Sequence, residues 1–334
     1  MKRRFLLVLG TIFALFVGCF LFYYYNNEEQ AVNVEILKTE QIVPWGVQSI
    51  NAPAQWPEIT GKGVKVAVMD SGINFNHPDF GDNIKKGFNT INPSELPIDD
   101  YGHGSLVAGV IAAKDNNIGV VGVAPDVELY PVKVLDKYGE GEITDIAEGV
   151  DWCIENKMQI INMSFAIEED KPLLRSAIMK AVHAGIVVVA SAMNSNGGDV
   201  GYPASYKEVI SVTAVDQRNK ICSTAPRGKI DFSAPGVGIV STASNGGYEE
   251  LLGTSLAAPH ITGLIALIMQ DPKRFGLSES KANLNDDIYN LLKRLTLDIG
   301  EKGKDRVFGE GFVTLKNIGN IGEWEENFFN ENEF

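Results

Sequence analysis

Cysteine is scarce in this chain, which contains Cys19, Cys153 and Cys222 among its 334 residues. Cys19 lies in an apolar stretch near the N-terminus, so the body of the protein retains a single pair, whose members are far apart in sequence. Neither belongs to a C-x-x-C segment of the kind that binds zinc. We therefore predict two buried free thiols and assign neither a disulfide nor a zinc site.

Positive charge is also in short supply, since 29 Lys and Arg stand against 43 Asp and Glu, for a net charge of −14. Nucleic-acid binding requires clustered basic side chains that contact phosphates, so this balance argues against a nucleic-acid partner. The apolar fraction of 45%, with 22% charged residues, is ordinary for a globular protein with a real core.

Internal repeats and Pro- or Ser-rich linkers are absent from residues 41–318. Instead, short apolar runs rich in β-branched residues alternate with stretches of helical periodicity. The predicted strands are residues 64–69, 128–134, 159–163 and 186–190, and the predicted helices are residues 106–113, 143–155 and 172–184. Such alternation is typical of βαβ units. We expect one α/β domain with three layers, in which helices cover both faces of a doubly wound, mostly parallel sheet.

The long apolar run of the sequence, residues 5–25, follows three basic residues. A helix of that length would cross a bilayer with its basic flank in the cytoplasm and the rest of the chain outside. Residues 1–26 are thus predicted as a single-pass membrane anchor, with lipid attachment at Cys19 or removal of a secretory signal as alternatives. Residues 27–40 are predicted as a short linker or vestigial pro-segment, and residues 319–334 as an acidic, weakly ordered tail.

Three short segments carry residues suited to nucleophilic catalysis. Asp70 follows the first predicted strand, at the edge of a parallel sheet where catalytic groups gather. His103 stands between two glycines at a helix start, which exposes its ring. Ser255 opens an apolar helix, where its hydroxyl is exposed and free backbone N–H groups face any anion beside it. Taken alone, Asp70 also fits the start of a turn, and Ser255 fits a helix N-cap.

Taken together, these segments resemble a known family. Asp-Ser-Gly at residues 70–72, Gly-His-Gly at residues 102–104 and Gly-Thr-Ser-Leu-Ala-Ala-Pro-His at residues 253–260 resemble, in this order, the motifs of the subtilisin-like serine proteases. The similarity extends over about residues 41–315. It implies a subtilisin-like catalytic domain at residues 41–318 that cleaves protein or peptide substrates.

The resemblance also implies a role for individual residues. Asp70, His103 and Ser255 would form the catalytic triad, and the Asn194 side chain would join the Ser255 N–H in an oxyanion hole. Two extended segments, residues 137–141 and 164–166, would pair with the substrate backbone. The residues assigned to substrate binding are Gly139, Gly141, Ser164, Phe165, Ala166, Ala192 and Gly201. The pocket for the residue before the scissile bond would be walled by residues 164–166 and 192–194, with Gly201 at its base. No charge lines this pocket, which favours an apolar or aromatic side chain there.

Two departures from the family pattern concern that pocket. Met193 replaces the glycine that usually precedes the oxyanion asparagine, and it would tilt the amide if the position requires a positive φ. Ala166 and Ile167 replace a Gly-Gly pair, so the pocket wall is expected to be narrower.

A structural calcium ion is a further implication of the resemblance. The matching ligands are Gln41, Asp79, Lys114, Asn116, Ile118 and Val120, with the carbonyl oxygens of Lys114, Ile118 and Val120 serving as donors. Six oxygens suit Ca²⁺. A plain Asn- and Gly-rich turn at residues 115–119 is the alternative.

Two further expectations concern maturation and an alternative function. Secreted members of the family usually carry a long pro-domain, whereas residues 27–40 are too few for a folded module, so maturation is expected to differ. The alternative function is a catalytically silent subtilase fold that serves as a binding module at the membrane, for which Met193 is one argument.

Overall fold

The computed structural model describes Leu37, residues 39–277 and residues 284–316. The predicted membrane segment, residues 1–26, and the predicted tail, residues 319–334, lie outside the described residues, as does most of the predicted linker. In the part of the chain that is described, no helix is both long and apolar enough to cross a bilayer.

A nine-stranded sheet forms the centre of the described structure, with the strand order β12-β13-β9-β8-β7-β6-β2-β5-β3. The strands among the described residues are β1 (Gln41–Ile42), β2 (Lys65–Asp70), β3 (Phe88–Asn89), β4 (Gly119–Val120), β5 (Glu128–Lys133), β6 (Ile160–Met163), β7 (Val187–Ser191), β8 (Ile210–Val215), β9 (Phe232–Pro235), β10 (Ile239–Thr242), β11 (Tyr248–Leu251), β12 (Thr296–Leu297) and β13 (Phe312–Val313). Neighbours in the large sheet are parallel, except for the antiparallel pair β12–β13. The predicted mostly parallel sheet is confirmed.

Helices cover both faces of this sheet. They are α1 (Trp45–Ser49), α2 (His103–Ala112), α3 (Ile143–Glu155), α4 (Pro172–His183), α5 (Thr254–Gln270) and α6 (Leu284–Arg294), with a 3₁₀ helix at Pro272–Phe275. Strand β2 shows how the layers form. Its residues Val66 and Val68 belong to one core with α2 and α5, while Ala67 and Met69 belong to another core with α3 and α4. Successive side chains of a strand point to opposite faces, so a strand covered on both faces is apolar throughout.

Two contacts fix helix α5 relative to the sheet and to helix α2. In β6, the buried Asn162 accepts a hydrogen bond at Oδ1 from Thr262 of α5, at 2.8 Å. In the first turns of the two helices, Leu106 of α2 and Leu256 of α5 share a small buried cluster with Val110 and Ile239. The N-terminal ends of α2 and α5 therefore lie side by side.

The predicted elements agree with the structure to within two residues at most ends. The largest difference is at helix α2, which was predicted to begin at residue 106 and begins at His103. Apolar periodicity starts only at Leu106, because the first turn consists of His, Gly and Ser. Cys153 and Cys222 are both buried free thiols.

Candidate active site

Asp70 is the last residue of β2, and its side chain is fully buried. Its Oδ1 accepts a hydrogen bond from the N–H of Ser71 at 2.7 Å, and both carboxylate oxygens lie 2.9 Å from Nδ1 of His103. A buried carboxylate is costly unless it is paired and hydrogen-bonded, and these contacts satisfy it. The structure thus brings Asp70 and His103 into direct contact.

The glycines around His103 allow two backbone segments to meet at short range. Gly102 precedes α2 with a φ of 110°, a conformation that glycine adopts readily. Gly104 lies against the carbonyl oxygen of Gly72, and a β-carbon at position 104 would overlap that oxygen. The first turn of α2 can therefore press against the turn after β2, which places the imidazole beside Asp70.

Asp99 is a site residue that the motif analysis did not identify. It is buried, and its Oδ1 accepts hydrogen bonds from Oγ of Ser71 at 2.8 Å and from the N–H of Gly102 at 2.7 Å. Its Oδ2 accepts from the N–H of Ser105 at 2.8 Å, and the N–H of Gly104 donates to Ser71 Oγ at 3.0 Å. One carboxylate thus joins the turn after β2 to the first turn of α2. The available signal was an acidic residue just before a helix start.

Lys133 places a buried cation behind the same turn. Its Nζ donates to the carbonyl oxygens of Ser71 at 2.7 Å and Leu135 at 3.0 Å, and to Oδ1 of Asp100 at 2.6 Å. Three acceptors match the three donors of an ammonium group, which explains how Lys133 is buried. Because Lys133 ends β5 in register with Asp70, the cation ties the carboxyl ends of two neighbouring strands together.

The electrostatic surroundings of His103 favour a proton on its ring. Burial by itself lowers the pKa of this imidazole, but the charge and hydrogen bond of Asp70, followed by the charge of Asp99, outweigh burial and raise the pKa above 6.5. The side chain is still about one-quarter exposed, at 25%. Since Nδ1 faces Asp70, Nε2 is the ring nitrogen available to a nucleophile or substrate.

Ser255 is the second residue of α5, directly after Thr254. Its side chain is half-buried, and its hydroxyl has no hydrogen-bond partner among the described residues, His103 included. The N–H groups of a first helical turn lack intrahelical acceptors, so the N–H of Ser255 points out of the helix end. The small buried cluster that Leu256 shares with Leu106 places this end of α5 near the first turn of α2.

Asn194 follows β7, and contacts on its oxygen orient its amide. Oδ1 accepts hydrogen bonds from the N–H of Thr254 at 3.1 Å, from its Oγ1 at 3.3 Å and from Oγ1 of Thr224 at 3.2 Å. A β-carbon at Gly253 would lie 3.1 Å from Asn194 Nδ2 and 3.4 Å from Ser255 Oγ, so these two atoms border the same small space. The analysis of the sequence missed Thr224, which no motif marks.

Met193 adopts a φ of 94°, so the backbone at this position is left-handed. That conformation suits glycine and strains a residue with a β-carbon. The position thus has the positive φ under which Met193 was expected to tilt the Asn194 amide. Even so, Asn194 Oδ1 keeps its contacts with Thr254 and Thr224, and these contacts hold the amide in place.

The predicted pocket walls meet at Gly201. The N–H of Gly201 donates to the carbonyl oxygen of Ala192 at 3.1 Å, and Ile167 exchanges backbone hydrogen bonds with Tyr202 at 2.9 and 2.8 Å. These bonds join three segments: one carries Ser164, Phe165 and Ala166, the second carries Ala192, and the third carries Gly201.

The other predicted substrate segment, residues 137–141, differs from expectation. Asp136 Oδ1 accepts hydrogen bonds from the N–H groups of Tyr138 at 2.8 Å and Glu140 at 3.0 Å, and Gly139 has a φ of 76°. Most of this segment is therefore a closed turn, and the prediction of an extended strand is wrong for it. Gly141 lies beyond the turn and before α3.

The other three histidines have surroundings of their own. His260 is buried in α5 with Nδ1 2.8 Å from the carbonyl oxygen of Leu256, and burial lowers its pKa to about 4. Nε2 of His77 lies 2.8 Å from the carbonyl oxygen of Gly247. His183 ends helix α4 rather than lying in its middle.

The predicted metal ligands converge on the loop between α2 and β4. Gln41 Nε2 donates to the carbonyl oxygen of Lys114 at 2.8 Å, and the N–H of Val120 donates to Asp79 Oδ2 at 2.9 Å. The Asn116 side chain lies in the same loop and donates to the carbonyl oxygen of Pro78 at 3.3 Å. The N–H of Ile118 donates to Asn116 Oδ1 at 3.1 Å.

The surroundings of Asp79 show whether this loop could hold a cation. Its side chain is fully buried, and within the described residues no Lys or Arg forms a salt bridge with it. Burial raises the pKa of this carboxyl group, although Val120, His77, Tyr248 and Asn116 act in the opposite direction. A hard cation beside such a carboxylate would balance its charge, and the surrounding carbonyl and amide oxygens are of the type that Ca²⁺ prefers. The residues present therefore fit calcium.

Comparison with known proteins identifies what this arrangement is similar to. A family model described as the subtilase family matches residues 61–311. Alkaline elastase YaB of Bacillus sp. strain YaB is 42% identical over 281 residues, which are 83% of this chain and 70% of the relative. Subtilisin Savinase of Lederbergia lenta is 40% identical over 278 residues, which are 83% of this chain and 98% of the relative.

A further relative is much longer than the matched region. Minor extracellular protease Epr of Bacillus subtilis strain 168 is 37% identical over 276 residues, or 81% of this chain, but the match covers only 41% of Epr. The similarity to Epr therefore concerns less than half of that protein.

We expect the His103 imidazole to titrate above pH 6.5, and to titrate at lower pH in the Asp70→Asn variant, because the substitution removes the charge that offsets burial. Titration of the ring protons by NMR measures both values. Asp126→Asn removes an exposed carboxylate outside this network and serves as the control, with an unchanged His103 titration. An unchanged pKa in Asp70→Asn would contradict the electrostatic account.

Proposed function

The chain belongs to the subtilase family, and from this we propose that it is a serine endopeptidase that forms an acyl-enzyme on Ser255. The observation that carries the proposal is the pair of 2.9 Å contacts between the buried Asp70 carboxylate and Nδ1 of His103. A base held in this way, beside a helix end with a free serine hydroxyl, is the arrangement that acyl transfer requires.

In the proposed reaction, Nε2 of His103 removes the proton of Ser255 Oγ as the oxygen attacks the scissile carbonyl carbon. Collapse of the tetrahedral intermediate breaks the C–N bond, and the imidazolium passes its proton to the departing amine. Water then attacks the ester with the same base and releases the acid and Ser255. Asp70 orients the ring and stabilises its charged form. The Ser255–His103 hydrogen bond would form in the substrate complex, since such bonds are often long without substrate.

The proposed oxyanion hole consists of the Ser255 N–H and Nδ2 of Asn194. Support comes from Asn194 Oδ1, which is occupied by Thr254 and Thr224, so that the amide nitrogen is the group left facing the space beside Ser255 Oγ. Donors fixed before the reaction stabilise the developing charge without reorganisation.

The pH dependence of activity follows from the role of His103 as the base. His103 accepts a proton only when neutral, and its pKa is raised above 6.5, so activity should increase as the pH rises through that higher value.

We also propose that the substrate backbone pairs with residues 164–166 and that an apolar side chain precedes the scissile bond. Residues 164–166 directly precede Ile167, whose backbone pairs with Tyr202 beside Gly201. This position supports recognition of the substrate through main-chain hydrogen bonds.

A structural Ca²⁺ is proposed for the loop that contains Asp79, with Gln41, Asn116 and the carbonyl oxygens of Lys114, Ile118 and Val120 as the other ligands. The ion would neutralise the buried carboxylate and tie β1 to β4, which already pair at Gln41 and Gly119. It takes no part in the proposed chemistry.

The proposed place of action is outside the cytoplasmic membrane. The basic flank and apolar run within residues 1–26 support a membrane anchor, with lipid attachment at Cys19 or secretion as the alternatives. The name of one relative, Minor extracellular protease, is in keeping with an extracytoplasmic site.

We expect Ser255→Ala to lower turnover of a peptide substrate by about 10⁶-fold, the magnitude known for subtilisin. A fluorophosphonate probe should label the parent protein and not this variant. Ser94→Ala changes an exposed serine and should behave like the parent. A parent protein that is folded by circular dichroism but takes up no probe would contradict the proposal and favour a silent binding module.

We expect Asn194→Ala to reduce kcat by about 10²–10³, again the range known for subtilisin. Thr224→Val should reduce kcat by roughly three- to tenfold, because it removes one hydrogen bond worth about 1 kcal/mol that orients the amide. Thr224→Ser keeps the hydroxyl and should retain most of the activity. In the Asn194→Ala background Thr224→Val should have no further effect. Additive losses would show that Thr224 acts by another route.

We expect removal of calcium with a chelator to lower the Tm of the parent protein, because an ion that binds only the folded state stabilises it by mass action. Asp79→Asn should abolish this response. Asp82→Asn changes a neighbouring carboxylate whose side chain is 85% exposed, and it should preserve the response. Calorimetric titration of the metal-free protein with Ca²⁺ gives a second measurement. A Tm insensitive to chelation would refute the site.

A further inference from the structure

We propose that Met193 forms a wall that narrows the pocket for the residue before the scissile bond and limits that residue to small side chains such as Ala or Gly. The inference rests on the proposed function and narrows it. It also replaces the expectation that an aromatic side chain would fit.

Met193 lies where the backbone segments that form the proposed pocket are joined by hydrogen bonds. Gly201 binds the carbonyl oxygen of Ala192, the residue before Met193, while the paired residues Ile167 and Tyr202 flank Ala166 and Gly201. Met193 and Ala166 therefore face each other across Gly201. Met193 adopts a left-handed φ of 94°, and its Sδ lies 2.9 Å from the position that a β-carbon on Gly201 would occupy.

Little space remains above Gly201. A β-carbon on Gly201 would lie 2.8 Å from Cβ of Ala166 and 2.9 Å from Sδ of Met193. Both atoms are thus within 3 Å of one point, so they are less than about 6 Å apart. An aromatic ring between two walls needs about 7 Å, since each face requires a carbon contact of about 3.5 Å.

Hydrogen bonds on both sides of Met193 keep its thioether beside Gly201. The bond from Gly201 holds the backbone before Met193, and the contacts of Asn194 with Thr254 and Thr224 hold the residue after it. Neighbours on both sides thus fix the direction of the Met193 Cα–Cβ bond. The side chain is half-buried, and its sulfur occupies the space that a β-carbon on Gly201 would need.

The substrate class follows from this geometry. Phe or Tyr before the scissile bond would have to displace Met193, whereas the methyl group of Ala needs no rearrangement. The enzyme is therefore expected to cleave after small residues. Ala166 contributes the opposite wall, so it has a secondary influence on the same choice.

The test uses peptide anilides that are identical except for Ala, Leu or Phe before the scissile bond, and it compares ratios of kcat/KM. For the parent protein we expect Ala to exceed Phe by at least about tenfold, a typical effect of pocket size. Met193→Ala and Met193→Gly should each raise the Phe/Ala ratio by about tenfold or more. Met193→Leu, which retains the bulk, should leave the ratio within about threefold. Ala166→Gly should raise it by less than Met193→Gly.

The ratio separates pocket size from backbone strain, because relief of the left-handed φ at position 193 affects all three substrates alike. Titration of active sites with a fluorophosphonate corrects for the folded fraction, and Met269→Ala is a distant control with an unchanged ratio. A parent protein that prefers Phe, or a ratio unchanged in both small variants, would overturn the inference while leaving the proposed function intact. Failure to cleave any of the three or to react with the probe would overturn the proposed function, and this inference with it.

Discussion

The close approach of helix α2 to the turn after β2 is the constraint on which the rest of the site depends. Gly104 has no side chain, so its backbone can lie against the carbonyl oxygen of Gly72. Asp99 and Ser71 join the two segments with hydrogen bonds that are shielded from water. The imidazole of His103 meets a carboxylate at the end of a strand only because this junction brings it there. Buried hydrogen-bond networks of this kind specify one arrangement, since leaving any member unpaired is costly.

The second helix of the site is fixed in a different way. Helix α5 is almost entirely buried, and its position is set by apolar packing on the sheet together with the Asn162–Thr262 hydrogen bond. The cluster that contains both Leu106 and Leu256 then places its first turn near that of α2. A polar network and a hydrophobic contact thus position the base and the hydroxyl separately. Rigid elements hold both groups, which suits chemistry that needs fixed geometry.

The proposed pocket contains a residue with a strained backbone. A left-handed backbone before Asn194 is readily formed by glycine, and in this chain it carries methionine instead. The sulfur of this methionine lies 2.9 Å from the position that a β-carbon on Gly201 would occupy. Strained residues persist when their surroundings determine their conformation, and here hydrogen bonds on both sides do so. The position thereby acquires a side chain that reaches the proposed substrate pocket.

The sequence alone determined the α/β class, most element bounds and the motifs at Asp70, His103 and Ser255, because apolar runs and glycine positions are local signals. It could not identify Asp99, Lys133 or Thr224, whose partners lie on other elements. Nor could it show that residues 136–140 form a closed turn, which depends on which backbone groups the Asp136 carboxylate binds. The proximity of the Met193 sulfur to Gly201 and Ala166 likewise depends on tertiary structure, since it is set by which distant segments pack together.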